Sequence, residues 1–305
     1  AYELGIINGT SATTFSPDRT ATREQAAVML MRVYDKYYAA GCGRIGITTS
    51  PEGLEGYEAV AVPAARLVYN GQAQVSINMD QAVTGPIQTA ARAAGASVLL
   101  YVTGSANTLK DSAESMAQKL AAAVEDGGYD GLFLDIPKLT FDQRKGFTAL
   151  VKALDTALGE RQLYVMAEAP VWEGKAYEGY DYAALGAAAD RLVLRITAYE
   201  QNTETFPISA LEPLEEVYYA LAELKGTVPG GKLSLLLTTT GVSWTAGKRG
   251  GSVDAAEIAR LLEDRKTESY YSSRYACAYL TNTGSDGKQT VVWYLDGTAA
   301  AERAR

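Results

Sequence analysis

Asp135, Glu168 and Glu200 each follow a strongly apolar, strand-like run: Gly131–Leu134, Gln162–Ala167 and Arg191–Ala198 with Tyr199. If these runs are adjacent parallel strands of a barrel, their C-terminal ends open on one cleft, which is where barrel chemistry sits. Carboxylates buried side by side have pKa values pushed apart, and pairs about 5 to 9.5 Å apart do the acid and base work of glycoside hydrolysis. The bland alternative is that acids at strand ends are common surface residues. The chain has no histidine, so a Ser-His-Asp triad, a Cys-His pair and a His-ligated zinc site are excluded within it. Proton transfer falls to carboxylates, Lys, Tyr or Cys. No cofactor or metal is expected.

The elements that must hold these residues alternate. Strand-like runs occur at Glu58–Val62, Gln74–Ile77, Ser97–Thr103, Gly131–Asp135, Gln162–Ala167, Arg191–Ala198 and Lys232–Thr238. Helical patterns fall between them at Pro86–Ala94, Ala113–Glu125, Phe141–Leu158, Tyr182–Ala189 and Leu214–Leu224. Strands alternating with helices predict an α/β fold with a parallel sheet. Val68–Gln72, with Asn70-Gly71 at its centre, reads as a hairpin turn that a simple βα barrel would not place there. Gly247–Gly251 is Gly-rich with two cations but lacks P-loop spacing, and it reads as a mobile loop. Trp172 and Trp244 follow candidate strands and either stack on sugars or pack in the rim or core.

Residues 1–38 stand apart. Gly5–Gly9 closes in an Asn-Gly turn, Phe15–Asp18 forms a second turn, and Thr22 with Gln25 makes a capping box ahead of Ala27, Leu30, Met31 and Tyr34 at helical spacing. The wording GIING, then TFSPDRTATREQAAVMLMRVY, is similar to the second half of an S-layer homology repeat, without the first helix of that repeat. The resemblance implies a segment that holds secondary cell-wall polymers, with Arg23 at the position of the family's glycan-contacting arginine. A cation beside free N–H groups at a helix start suits an acidic polymer. Otherwise Arg23 is a solvated first-turn residue. Residues 39–56 are rich in Gly, Thr, Ser and Pro and read as a linker.

From about residue 97 onward a second resemblance emerges. Tyr129-Asp130-Gly131-Leu132-Phe133-Leu134-Asp135-Ile136-Pro137 resembles the family 18 glycosidase signature D-G-x-D-x-D-x-E, in the branch found in bacterial spore-cortex and cell-wall proteins. Asp142–Phe147, Glu178–Gly186, Ala198-Tyr199-Glu200 and Val292–Asp296 resemble later segments of that branch, in order. The resemblance implies a (β/α)8 TIM-type barrel over 57–305, with a small α+β insertion at about 245–297. The closing eighth strand is not visible in the sequence, as though the chain were an excerpt or closed differently. The candidate glycan contacts in its cleft are Asp130 and Asp135 from the signature, Lys138 just after it, Tyr199 and Glu200 at the later strand end, and Trp244 as a stacking ring. Catalysis, if any, would rest on Asp135, Glu168 and Glu200.

The departures matter more than the matches. Asp130 and Asp135 hold the first and third signature Asp positions, Phe133 replaces the second, and Pro137 replaces the Glu. In the family that Glu protonates the glycosidic oxygen, and the Asp two residues before it orients the substrate acetamido group. Proline has no proton to give, and losing a general acid removes about 10²- to 10⁴-fold of rate.

Three readings follow. The first is a catalytically degenerate protein that binds wall polysaccharide, peptidoglycan or N-acetyl-sugar oligomers. The second is an active glycosidase with Glu168 or Glu200 as relocated acid. The third is a structural surface-layer or coat subunit. Sugar faces suit tyrosine rings, and twenty tyrosines stand against five phenylalanines. The net charge of -8 argues against nucleic acid, and no apolar run is long enough to span a membrane. The expected location is extracellular, on the wall or surface layer of a Gram-positive-type bacterium, and the absence of an initiator Met reads as a processed or excerpted product. Cys42 and Cys277 could pair in an oxidising compartment or remain as two buried thiols.

Overall fold

The computed structural model describes residues 28–29, 43–171, 178–202 and 206–304. Arg23, Cys42 and Trp172 lie outside the described residues. Ile45–Arg303 forms one compact unit.

Apolar runs build one sheet. Strands β1 (Ile45–Ile47), β2 (Ala59–Tyr69), β3 (Ala73–Ile77), β4 (Ser97–Thr103), β5 (Gly131–Asp135), β6 (Gln162–Glu168), β7 (Arg191–Arg195) and, further on, Leu233–Leu235 all belong to it. The spatial order is β1, β2, β4, β5, β6, β7, then Leu233–Leu235, and all these neighbours pair in parallel. Seven parallel strands of a TIM-type barrel are thus present among the described residues. β3 stands off this path, folded back antiparallel on β2 through the expected Asn70-Gly71 turn. The register of β2 against β4 shifts between Val62 and Ala65, around Pro63, which has no N–H for a ladder.

Residues 39–56 are not wholly a linker, because Ile45–Ile47 pairs with Ala59–Ala61 as the first parallel strand. Three residues among Gly and Thr are too few to show a pattern, and only the partner strand defines them.

Helices α1 (Gln81–Ala93), α2 (Ala113–Asp126), α3 (Phe141–Leu158) and α4 (Tyr182–Ala188) connect the strands. α1 begins before Pro86 because the Asp80 side chain accepts from Val83 N at 3.1 Å. The helices bury Ile87, Leu120, Phe147, Leu150 and Leu154 against the outward strand residues Val60, Leu100, Leu132, Leu134 and Val165. Each such side chain contributes about 1.5–3 kcal/mol of burial. The alternate residues Ala59, Ala61, Leu99, Phe133, Tyr164, Met166 and Val193 form a separate inner cluster. Period-two alternation fills the barrel with these and turns Asp135, Glu168 and Arg195, the last residues of β5, β6 and β7, toward the same interior.

After β7 comes a two-stranded hairpin, β8 (Tyr199–Asn202) and β9 (Pro207–Ala210), then α5 (Leu214–Leu224) and β10 (Leu233–Leu235). An antiparallel sheet follows: β11 (Gly241–Thr245), β12 (Lys248–Val253), β13 (Thr267–Ser272), β14 (Cys277–Thr283) and β15 (Gln289–Tyr294), in the order β12-β11-β15-β14-β13. Helix α6 (Ala255–Glu263) lies within it in sequence, and α7 (Gly297–Ala304) follows. The expected loop at Gly247–Gly251 is instead strand β12. Its turn is Ala246-Gly247, where both residues take positive φ.

The antiparallel sheet is fastened to the hairpin by two indoles. Trp244 donates to Ser209 Oγ at 2.7 Å and Trp293 to the Pro207 carbonyl at 3.0 Å. Arg303 of α7 is buried and donates to the carbonyls of Leu211, Glu212, Tyr275, Ala276 and Ala299. It thereby ties the end of the hairpin to the β13–β14 turn.

Candidate functional site

Asp135 and Glu168 are 4% and 5% exposed at the C-terminal ends of β5 and β6. Between them stands a residue the sequence reading passed over. Arg195 donates from Nη2 to Asp135 Oδ2 at 2.5 Å and from Nη1 to Glu168 Oε1 at 3.2 Å. Strand β7 ends at Arg195 and does not run on to Ala198. The inward carboxylates therefore face a guanidinium at the third strand end, where a third carboxylate was expected. Burial works against the charge of Arg195. The hydrogen bonds and charges of Asp135 and Glu168 more than offset that and raise its pKa.

Tyr101, inward on β4, donates its hydroxyl to the same Asp135 Oδ2 at 2.5 Å. Burial, then the charge of Asp135, pushes that phenol far above its ordinary range, so it stays a donor. Asp135 Oδ1 is buried and has no hydrogen-bond partner among the described residues. Phe133, in place of the second signature Asp, meets Tyr101 and Tyr164 edge-on at 5.2 and 6.1 Å. It completes the apolar fill of the barrel directly below Asp135.

The loops after β5 and β6 brace this centre. Tyr180 donates to the Ile136 carbonyl at 2.9 Å, and Tyr182 to the Glu168 carbonyl at 2.8 Å. A Cβ on Gly179 would lie 2.2 Å from the Leu139 carbonyl oxygen, so only glycine lets the two loops meet. Burial, then the charge of Glu168, raises the Tyr180 pKa. Pro137 follows in the first loop, then Lys138, exposed and at a φ of 57°.

The other expected site residues lie elsewhere. Asp130 precedes β5, at the N-terminal end of the barrel. It accepts from Val98 N at 2.8 Å and from Arg92, and so pins strand starts and faces away from the cleft. Gly131 beside it sits against Gln162, where a Cβ would lie 2.2 Å from the carbonyl oxygen. Glu200 is an exposed residue of β8, paired with Arg249 of β12 at 2.9 Å, and is not at the end of a barrel strand. Tyr199 is the first residue of the same strand. Trp244 is 6% exposed and belongs to the core between the hairpin and the antiparallel sheet, not to a sugar-facing surface.

A further carboxyl was not foreseen. Glu212, before α5, is 3% exposed with a φ of 36°. Its Oε1 accepts from Thr238 Oγ1 at 2.6 Å, and its Oε2 has no partner among the described residues. Burial raises its pKa. Cys277 is a buried free thiol, pushed up to about 11 by burial.

Inward acids at the strand ends of a TIM-type barrel are one arrangement that carbohydrate-acting proteins use, on a fold that hosts many chemistries. The chain belongs to the glycosyl hydrolases of family 18, whose model matches residues 64–304. Residues 1–27 match the S-layer homology domain, a link to the cell surface. No curated protein matches the chain. Among solved structures, the Bacillus cereus spore cortex-lytic enzyme SleL is similar with a TM-score of 0.71 at 16% identity, covering 87% of this chain and 68% of that one. A Chromobacterium violaceum chitinase gives 0.69 at 20%, covering 86% and 88%. A Cycas revoluta family 18 chitinase in complex with (GlcNAc)3 gives 0.70 at 16%, covering 85% and 89%. At these identities the likeness is one of fold. No helix among the described residues is long and apolar enough to cross a membrane.

Proposed function

We propose that this protein is a cell-wall-associated member of family 18 that binds N-acetyl-sugar glycans at its barrel mouth without hydrolysing them. One observation carries the reading: Pro137 stands where the signature has its proton donor, directly beyond Asp135. None of the three carboxylates expected to act stands ready in its place. Asp135 and Glu168 are both engaged as acceptors by Arg195, and Glu200 is paired with Arg249 on the surface. A general acid must present a proton to the leaving oxygen, and its loss costs about 10²- to 10⁴-fold in rate. Binding does not need that proton. The unpartnered Asp135 Oδ1 is an acceptor for a ligand N–H or O–H, and the S-layer homology segment would keep the barrel beside wall glycan.

The test is calorimetric titration of the whole chain with N-acetylglucosamine oligomers and muropeptide fragments, with reducing ends assayed in the same samples. Saturable binding that weakens in Asp135→Asn, with no new reducing ends, is the expected result. New reducing ends from wild-type protein would overturn the reading. So would the absence of binding to both ligand classes, which would leave a structural surface role.

A further inference from the structure

The antiparallel sheet carries a row of aromatic rings that the barrel site does not use. Its register aligns Tyr270 of β13 with Tyr279 of β14, and Tyr279 with Trp293 of β15. Cross-strand neighbours on one face stack when both are aromatic. Here the Tyr270 and Tyr279 rings lie 5.0 Å apart at 17°, and Tyr279 and Trp293 lie 4.7 Å apart at 29°. The inner end of the row is anchored. Trp293 is 2% exposed, tied to the Pro207 carbonyl, and met edge-on by Phe206 and Tyr275.

The outer end is open. β13 is the edge strand of the sheet, and Tyr270 is 42% exposed. Tyr279 covers one face of its ring, and no further ring packs on the other among the described residues. A fixed ring loses little rotamer freedom when a ligand lands on it. Its polar end is also furnished. The Tyr270 hydroxyl donates to Glu268 Oε2, two residues back on the same face, and Thr281 stands opposite Glu268. A flat apolar face with a carboxylate and hydroxyls along one side matches a pyranose ring, which offers axial C–H groups on its face and hydroxyl donors around its rim.

We propose that Tyr270 and Glu268 form a sugar-stacking subsite at the edge of the antiparallel sheet, separate from the barrel mouth, that takes one pyranose unit of a wall glycan. The ring supplies the stacking face, and Glu268 accepts hydrogen bonds from two neighbouring sugar hydroxyls. This inference rests on the glycan-binding reading above for the class of ligand, but not on Asp135.

The experiment measures (GlcNAc)6 and purified peptidoglycan binding by the whole chain in wild type, Tyr270→Ala, Tyr270→Phe, Glu268→Gln, Tyr271→Ala and Asp135→Asn. A stacked ring is worth about 0.5–1.5 kcal/mol beyond area burial, so Tyr270→Ala should weaken binding roughly 2- to 13-fold. Tyr270→Phe keeps the ring and should bind nearly as wild type, while Glu268→Gln should fall between. Tyr271 lies on the opposite face of the same strand and donates to Glu302 at 2.7 Å, so Tyr271→Ala controls for damage to the strand. Equal loss in Tyr270→Ala and Tyr271→Ala overturns the subsite. Loss in Asp135→Asn alone overturns it too and leaves the barrel-mouth reading standing. Loss in Tyr270→Ala alone upholds the subsite and removes the barrel-mouth reading. A wild type that binds neither ligand refutes both.

Discussion

Replacing Arg195 by leucine tests the account of the barrel mouth most directly. The guanidinium spans two carboxylates whose side chains are 5% and 6% exposed, while Arg195 itself is 26% exposed. Removing one partner of a buried ion pair costs about 3–5 kcal/mol, because the other charge is left desolvated and uncompensated. Here two carboxylates would be stranded, but the partial exposure of Arg195 lets water reach them, so the lower end, about 3 kcal/mol, is the expectation. For a domain of this size that is a fall in Tm of roughly 6–12 °C. Differential scanning calorimetry at neutral pH reads it directly. Arg195→Lys, whose single ammonium cannot span both acids, should lose an intermediate amount. The triple variant Arg195→Leu/Asp135→Asn/Glu168→Gln should recover most of the loss, since it strands no charge. A fall of under 2 °C for Arg195→Leu, or no recovery in the triple variant, would mean that the bridge is an ordinary surface contact and that the two buried carboxylates do not depend on the guanidinium.

Glu212 and Cys277 give two more expected outcomes. Burial raises the native pKa of Glu212 above its ordinary 4.5, so its contribution to stability is complete below that value and is lost as pH rises through the native one. Glu212→Gln, which can still accept from Thr238, should match wild type near pH 4 and be more stable at pH 7.5. A difference of equal size at both pH values would refute the assignment. The Cys277 thiol, buried and shifted to about 11, should resist iodoacetamide at pH 8 until the protein unfolds; prompt native-state labelling in its peptide by mass spectrometry would contradict that burial.

Much of the barrel was legible because its strands are apolar runs closed by turn residues. Ser97–Thr103 and Gly131–Asp135 have their expected bounds, and Asn70-Gly71 announced the β2–β3 hairpin. Asp135 and Glu168 could be placed at strand ends for the same reason. Arg195 could not, because an arginine inside Arg191–Ala198 looks locally like an outward surface residue. Its role exists only once β5, β6 and β7 lie side by side, which brings together residues 27 and 60 positions apart. Glu200 misled in the converse way. The β-forming residues between Arg195 and Glu200 hide the end of β7, and the partner of Glu200, Arg249, is 49 residues further on. For Trp244 the sequence leaves sugar stacking and core packing both open, and only the serine on another element that satisfies its indole N–H decides for the core.

Arg303 has a consequence for the order of assembly. Its bonds reach the Leu211 and Glu212 carbonyls, 92 and 91 residues earlier, and those of Tyr275 and Ala276, 28 and 27 earlier. During synthesis every one of those acceptors leaves the ribosome before the donor does. The hairpin and the antiparallel sheet can already be joined through Trp244 and Trp293, but the second clasp, by Arg303, waits for the last residue of the unit. Closing so wide a loop carries an entropic cost that grows slowly with its length, so it is the kind of event that comes late on a folding pathway. A nascent chain would therefore hold its sheet to the hairpin by the two indoles alone until α7 arrives.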